Sequence, residues 1–433
     1  MASEMNQAIS VAMDVTKYKA MSGLKIHKHS IQPENRVSIA MTKGNTSDLY
    51  FALHARPNSF INGMNTHLSY NYSYVGTTPT VNASVENCNG SPNFIRTLET
   101  LAGSTSLELI NNYNVLAATL DDISSAERSK TLGSILQDKS TKDIKRGNAR
   151  SVIAAGAEGF NPRRVCIPLL SSVVGVNSEV YLPVGRDIGL RLRLTMEDPA
   201  IALHVSGVTT GITNLGYELT DITLEVEYIE VPPSIYNALA NEAEGVFKIS
   251  GVGISNFTNN VSAGATSQSL LIPARYSSVR NFLTVNRLQT VVNNEYKNSI
   301  GGRTRDNISS YSYRIAGTPY PNLPVACDGT TSAEALTEVI KSFHGHGDLS
   351  MNVCFSREDF VKNGEDGAFM IGIDFEESGF SAQQMSGINT TSGNVFLELG
   401  YSSASSATVF DSFCFYDQII EINSQTGEVS ISR

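Results

Sequence analysis

Residues 219–245 have the sequence LTDITLEVEYIEVPPSIYNALANEAEG. From Ile222 to Tyr228, apolar and polar side chains alternate, and this period of two is typical of a strand with one buried face. The two prolines that follow end the strand, because proline donates no hydrogen bond to a ladder. The residues after them predict a short helix that Ser234 caps and Gly245 closes. This strand followed by a helix predicts a boundary between two units.

The strand pattern recurs on both sides of this boundary, so we predict two mainly antiparallel β domains. In the first half, the clearest repeat is Ile188–Leu194, and the other predicted strands begin near residues 36, 49 and 67. In the second half, the pattern predicts a helix at Thr331–His344 and strands at Ser269–Ala274, Val279–Leu288, Ser310–Ile315, Met351–Phe355, Phe369–Phe375, Val395–Tyr401, Thr408–Phe415, Ile419–Ile422 and Val429–Ile431. We predict an arm at 1–33, domains at 34–230 and 246–433, and a hinge at 231–245.

Residues 92–150 interrupt the strand pattern of the first domain. The apolar residues of its first part favour helix, and they are Leu98, Leu101, Leu107, Leu109, Ile110, Val115 and Leu116. A second helical stretch is predicted at about 124–146. A connection of roughly 60 residues is too long to lack structure of its own. We therefore predict a helical insertion in the first β domain.

The composition excludes several classes of protein. The net charge is −10, which argues against a protein that is basic throughout and coats nucleic acid. No apolar run reaches the length of a membrane-spanning helix, and the first residues do not have the pattern of a secretory signal, so we expect synthesis without secretion. The five cysteines have no zinc-site spacing, and we expect those at 166, 354 and 414 to be buried free thiols.

A basic cluster lies within the predicted arm. It consists of Lys17, Lys19, Lys25 and Lys28. An arm of this kind can contact a neighbouring subunit, an anionic membrane or nucleic acid. The alternative is a frayed terminus with solvated lysines.

The sequence gives no positive argument for catalysis or for a bound cofactor. His344, His346 and Asp348 are the densest set of potential metal ligands, but the glycines between them favour a loop. Asp374 and the acids at 376 and 377 follow a predicted strand, where solvated turn residues are the more common explanation. We therefore predict no metal, no cofactor and no catalytic residue.

Three stretches of the chain resemble the double jelly-roll major capsid proteins of viruses. That group includes adenovirus-like, virophage-like and membrane-containing phage capsids. The stretches are the strand–Pro–Pro–helix segment at 219–245, IAGTPYPNLP at 315–324, and the C-terminal segments 386–399 and 415–422. Together they cover 59 of the 433 residues, about a seventh of the chain, and the order of the predicted segments agrees with the resemblance.

The resemblance implies an all-β fold with helical insertions, built of two consecutive eight-stranded jelly-roll barrels. It further implies a structural subunit whose homotrimers form pseudo-hexameric capsomers that tile an icosahedral shell. Penton and minor capsid proteins are the implied partners, and the arm is expected to contact an internal membrane or the genome. The candidate interface residues are the four arm lysines together with Pro232, Pro233 and Tyr236 of the hinge.

Two other functions remain open from the sequence. A glycan-binding protein or virion spike with two β-sandwich domains would use the many Asn, Thr and Tyr residues of the predicted loops. An enzyme on a β scaffold would use the acids near Asp374, although the absence of tryptophan argues mildly against sugar processing.

Overall fold

The structure is a computed structural model, and it describes residues 23–77, 83–87, 90–123, 134–137, 150–153, 163–175, 181–206, 212–330, 332–344, 353–376 and 387–433. The strands are β1 (Lys25–Ile31), β2 (Ile39–Thr42), β3 (Asp48–Ala52), β4 (Ser59–Thr77), β5 (Ala83–Asn87), β6 (Ile95–Ala102), β7 (Thr105–Asn111), β8 (Arg150–Ile153), β9 (Arg163–Pro168), β10 (Leu182–Pro183), β11 (Leu190–Met196), β12 (Leu203–Ser206), β13 (Thr213–Glu230), β14 (Val246–Val261), β15 (Ser267–Ile272), β16 (Val279–Leu288), β17 (Ile308–Ile315), β18 (Thr318–Ala326), β19 (Met370–Asp374), β20 (Val395–Tyr401), β21 (Thr408–Asn423) and β22 (Val429–Ser432). The helices are α1 (Tyr113–Ile123), α2 (Ser134–Leu136), α3 (Pro199–Ala202), α4 (Pro233–Glu242), α5 (Ser332–His344) and α6 (Arg357–Phe360), with a 3-10 turn at Ser91–Phe94.

The second half of the chain is a jelly roll. Its eight main strands, β14 to β21, form one sheet in the order β14-β21-β16-β19 and another in the order β15-β20-β17-β18. Numbered within the barrel, these orders are 1-8-3-6 and 2-7-4-5, the two interlocked Greek keys of this fold. The added strand β22 pairs with the end of β21 beyond the reach of β16.

The first half repeats the same arrangement. One sheet has the order β3-β11-β6-β7, and the other has β13 between β4 and the edge strands β1 and β2. The first and sixth strands are each divided, because β1 and β2 pair with opposite ends of β13 while β9 and β10 pair with different parts of β4. The prediction of two jelly-roll barrels is therefore confirmed.

Alternating side chains form the core of each barrel. On β11, Leu190, Leu192 and Leu194 are buried while the arginines between them are not. On β4, Tyr70, Tyr72 and Tyr74 stand at alternate positions and are buried, and the rings of the first two contact Phe94. Apolar burial of this kind contributes about 25 cal/mol per Å² of surface removed from water, so it dominates the stability of both barrels.

The prediction of helix for residues 98–110 is wrong. These residues form the hairpin β6–β7, and Gly103 turns the chain with a φ of +58°. Leu98 and Leu107 are buried on the inner face of this hairpin. The three-residue steps from Leu98 to Leu101 and from Leu107 to Ile110 also fit a helix. The sheet decides, because the neighbouring strand β11 pairs with β6. Helix is present at α1 and α2, and most of the second predicted helix lies outside the described residues.

Other differences from the prediction concern turns and prolines. No strand is present at residues 353–355, the described part of the strand predicted at Met351–Phe355. Helix α4 has Pro232 before it and Pro233 as its first residue, and the side chain of Ser234 is not its cap. Cys166 is half-buried rather than buried, while Cys354 and Cys414 are buried and form no disulfide.

Candidate functional site

The predicted basic interface lies partly in the first barrel. Lys17 and Lys19 are outside the described residues, whereas Lys25 and Lys28 belong to β1, which pairs with β13 along its whole length. The Nζ atom of Lys25 lies 3.5 Å from a carboxylate oxygen of Glu230, and both side chains are exposed. The segment from residue 25 onward is thus a barrel strand, so any free arm ends before it.

The predicted hinge residues lie at the junction of the two barrels. Pro232 and Pro233 start α4, and Tyr236 is buried in its first turns. The Tyr236 ring centroid is 5.5 Å from that of Phe60 in the first barrel and 5.8 Å from that of Phe247 in the second. Phe60 and Phe247 also meet edge to face at 6.2 Å. Aromatic pairs of this geometry contribute about 0.5–1.5 kcal/mol each beyond their burial, so the cluster fixes α4 between the barrels.

A buried carboxylate also connects the barrels. Glu108 of β7 accepts hydrogen bonds from the Ser171 hydroxyl at 2.6 Å and from the backbone N–H and hydroxyl of Ser172 at 3.0 Å each. Gln418 of β21 donates to the Ser172 hydroxyl at 2.8 Å. Burial raises the pKa of Glu108, and the three hydrogen bonds oppose that shift. The chain from Glu108 to Gln418 ties the first barrel to the last main strand of the second.

Asn112 makes a second polar connection at the end of β7. Its amide donates to Asp411 of β21 at 2.8 Å. Asp411 is fully buried and also accepts a hydrogen bond from Arg287 at 2.5 Å. A buried charge needs such partners, since an unpaired one would carry a large desolvation cost. Asn112 therefore binds a carboxylate whose charge is already compensated by Arg287 of the second barrel.

Helix α1 makes a third connection. Asp122 at its end is paired with Arg303 of the second barrel, and Thr119 one turn earlier accepts a hydrogen bond from Arg303 at 3.1 Å. With the aromatic cluster and the Glu108 network, these contacts join the two barrels through buried side chains.

The candidate catalytic and metal-binding residues do not form a site in the described part of the chain. No group of three or more His, Cys, Asp or Glu that could hold a metal is found among those residues, and His346, Asp348 and Glu377 lie outside them. Glu376 is 3.3 Å from Arg280, and its backbone N–H donates to Asp374 at 3.0 Å. These contacts are those of a salt-bridged turn.

Two further chemical features bear on function. Burial raises the pKa of the Cys327 thiol to about 12, which leaves it a weak nucleophile at neutral pH. Among the described helices, none is both long and apolar enough to cross a membrane.

Sequence analysis missed the two most exposed large apolar side chains on the edge strands of the described structure. Leu323 on β18 is 78 % exposed, and Ile26 on β1 is 57 % exposed. Both lie on edge strands, where unpaired backbone groups are open to another chain. The signal for the first was present in Pro319, Pro321 and Pro324, because prolines in a strand pattern mark an edge or a bulge.

Comparison with solved structures finds likenesses along nearly the whole chain. A quasi-atomic model of the PBCV-1 virus capsid matches with a TM-score of 0.59 and 12 % identity, covering 96 % of this chain and 98 % of the other. The Faustovirus major capsid protein matches at 0.57 and 9 % identity, covering 93 % and 91 %. The mavirus major capsid protein matches at 0.52 and 10 % identity, covering 95 % and 90 %.

No protein-family model and no curated protein sequence matches the chain. At such low identities the likeness shows the fold. The fold is the double jelly roll, as the strand orders of both halves indicate independently.

Proposed function

We propose that this chain is a major capsid protein, a structural subunit whose trimers form pseudo-hexameric capsomers in an icosahedral virus shell. The observation that carries the proposal is the pair of jelly rolls with matching strand order, joined by buried contacts. The fold likeness to structures described as virus capsids and major capsid proteins supports the same function.

The internal repeat explains how such a subunit builds a six-sided unit. Three chains supply six barrels, so a threefold ring of chains has nearly sixfold symmetry at the level of barrels. Contacts between chains are then heterologous, and they form a closed ring when successive rotations add to a full turn. Six-sided blocks tile flat facets, which suits an icosahedral shell.

The remaining parts of the proposal concern partners and location. The protein acts in the virion, as a structural component without catalysis or cofactor. It contacts itself, neighbouring capsomers, and penton and minor capsid proteins. Lys17 and Lys19 would serve contacts of the N-terminal segment with neighbours, an internal membrane or the genome. The capsid likeness favours this function over the glycan-binding or spike alternative.

Light scattering coupled to size-exclusion chromatography tests the proposal. Three copies of the 46.7 kDa chain make a particle of about 140 kDa. We expect that species, with six-sided particles in electron micrographs. A monomer at all concentrations that binds glycans on an array would contradict the proposal and support the glycan-binding alternative.

A further inference from the structure

Within the chain, the fifth strand of the first barrel lies against the first strand of the second. The strands are β7 and β14, and they are in direct contact. Asn112, which follows β7, has its amide nitrogen 3.3 Å from Asn256 and 3.4 Å from Thr258 of β14. At the other end of β7, Arg433 donates hydrogen bonds to the carbonyls of Ser106 and Leu107, at 2.9 and 3.1 Å.

The contact between β7 and β14 covers one fifth strand and one first strand. The other fifth strand and the other first strand are left open. The fifth strand of the second barrel is β18, and the first strand of the first barrel is β1 with β2. Among the described residues, neither is packed against a strand of the other barrel, and they carry the exposed Leu323 and Ile26. In contrast, Glu108 of β7 is 1 % exposed, because it lies in the hydrogen-bond network that reaches Gln418 of the second barrel. Equivalent strands thus differ according to whether a second barrel covers them.

The shape of β18 makes it a projecting surface. Its pairing with β17 runs from Tyr311↔Val325 to Tyr313↔Tyr320, so four residues of β18 stand opposite Ser312 alone. These four, Pro321–Pro324, form an arch with Leu323 in it. Proline has a fixed φ and no N–H, so the arch is stiff and does not invite strand addition. Packing of its apolar side chains is the interaction this surface offers.

We propose that the β18 arch, Pro319–Pro324, of one copy packs against β1 of the next copy, with Leu323 near Ile26. The contact would repeat, between chains, the relation of β7 to β14 within the chain. Six such barrel contacts, three within chains and three between them, close the ring. This inference rests on the proposed function, because it names the surfaces that join the subunits of the trimer.

Substitution of the two apolar residues tests the contact on the full chain. Leu323→Asp and Ile26→Asp each place a charge where an apolar surface is buried in the ring. We expect both variants to shift from about 140 kDa to 46.7 kDa at micromolar concentration. Their thermal midpoints, measured on the wild type and variants under conditions that dissociate all of them, should agree within about a degree, because exposed substitutions cost little. Ile135→Asp is the matched control, since Ile135 is 76 % exposed on α2, outside both strands, and it should remain trimeric.

Cross-linking gives an independent measurement. The double variant Leu323→Cys/Ile26→Cys, treated with a flexible bis-maleimide, should give covalent trimers as the largest product on a denaturing gel. Each single variant shows the background from native cysteines such as half-buried Cys166. If the aspartate variants stay trimeric and the double variant gives only background, the inference is overturned and the proposed function stands. If the wild type is a monomer throughout, both are overturned.

Discussion

Arg303 of the second barrel donates a hydrogen bond to Asp122 of the first, although 181 residues separate them along the chain. Both side chains are almost completely buried. As a pair, the two charges compensate each other. Without its partner, either charge would be buried where water cannot solvate it. The junction of the barrels is therefore sensitive to the loss of a single partner.

Asp122→Ala should strongly destabilise the protein. It leaves the Arg303 guanidinium buried without its carboxylate, and breaking a buried pair in this way costs about 3–5 kcal/mol. Urea unfolding at fixed protein concentration measures the loss. The double variant Asp122→Leu/Arg303→Met should recover much of it, because two apolar residues leave no unpaired charge. An Asp122→Ala effect below about 1 kcal/mol would show that water reaches the pair.

Gly185→Ala should lower the thermal midpoint. A β-carbon at position 185 would stand 2.4 Å from the Tyr236 oxygen, and Tyr236 is wedged between Phe60 and Phe247. Overpacking of this kind costs about 1–3 kcal/mol. Gly329→Ala is the matched control, since nothing lies within 4 Å of its added carbon. Equal midpoints for the two variants would mean that Tyr236 can move aside freely.

Glu108→Gln should change how stability depends on pH. Burial raises the folded-state pKa of Glu108 above its ordinary value of 4.5. The wild type therefore has the full contribution of this group below about pH 4.5 and loses it as pH rises through the raised pKa. Glutamine does not titrate, so the variant lacks that loss.

Urea unfolding of both proteins at pH 5 and pH 7 measures this difference. The free energy of unfolding of Glu108→Gln minus that of the wild type should be larger at pH 7 than at pH 5. The buried acids Glu197 and Asp306, whose pKa values are also raised by burial, are present in both proteins and cancel in the comparison. The same pH slope for both proteins would indicate that the hydrogen bonds from Ser171 and Ser172 outweigh burial.

Deletion of residues 1–22 should leave a folded trimer and impair shell assembly. Deletion of residues 1–28 should lower the thermal midpoint, because it removes four residues of β1 and uncovers their partners on β13. It should also dissociate the trimer, because it removes Ile26. Scanning calorimetry and size-exclusion chromatography compare the two proteins. Equal midpoints would show that pairing of β1 with β13 contributes nothing to stability.

Strands with regular alternation could be predicted from the sequence. The predicted bounds of β16 and β20 agree with the structure, and helix α5 begins one residue after its predicted start. β20 buries a single face, so its alternation of apolar residues reports the local structure directly. β16 is buried on both faces, and its run of apolar residues is typical of such a strand.

Strands without that alternation were missed. β14 contains Gly251 and Gly253 and many polar residues, yet it pairs with β21 over sixteen consecutive positions. Gly253 is required there because a β-carbon would stand 2.5 Å from the Tyr416 ring. This requirement comes from a residue more than 160 positions away, and no local pattern records it.

The sequence by itself determined the class of the protein: two β halves, a proline-started helix between them, and no clear catalytic set. These properties depend on local alternation, on turn residues and on composition. Only the tertiary structure decided that residues 95–111 form a hairpin, that Tyr236 and Arg303 lock the barrels together, and that Leu323 and Ile26 remain exposed. The physical reason is that burial and pairing depend on which distant strands become neighbours, and the energy of those contacts outweighs local preference.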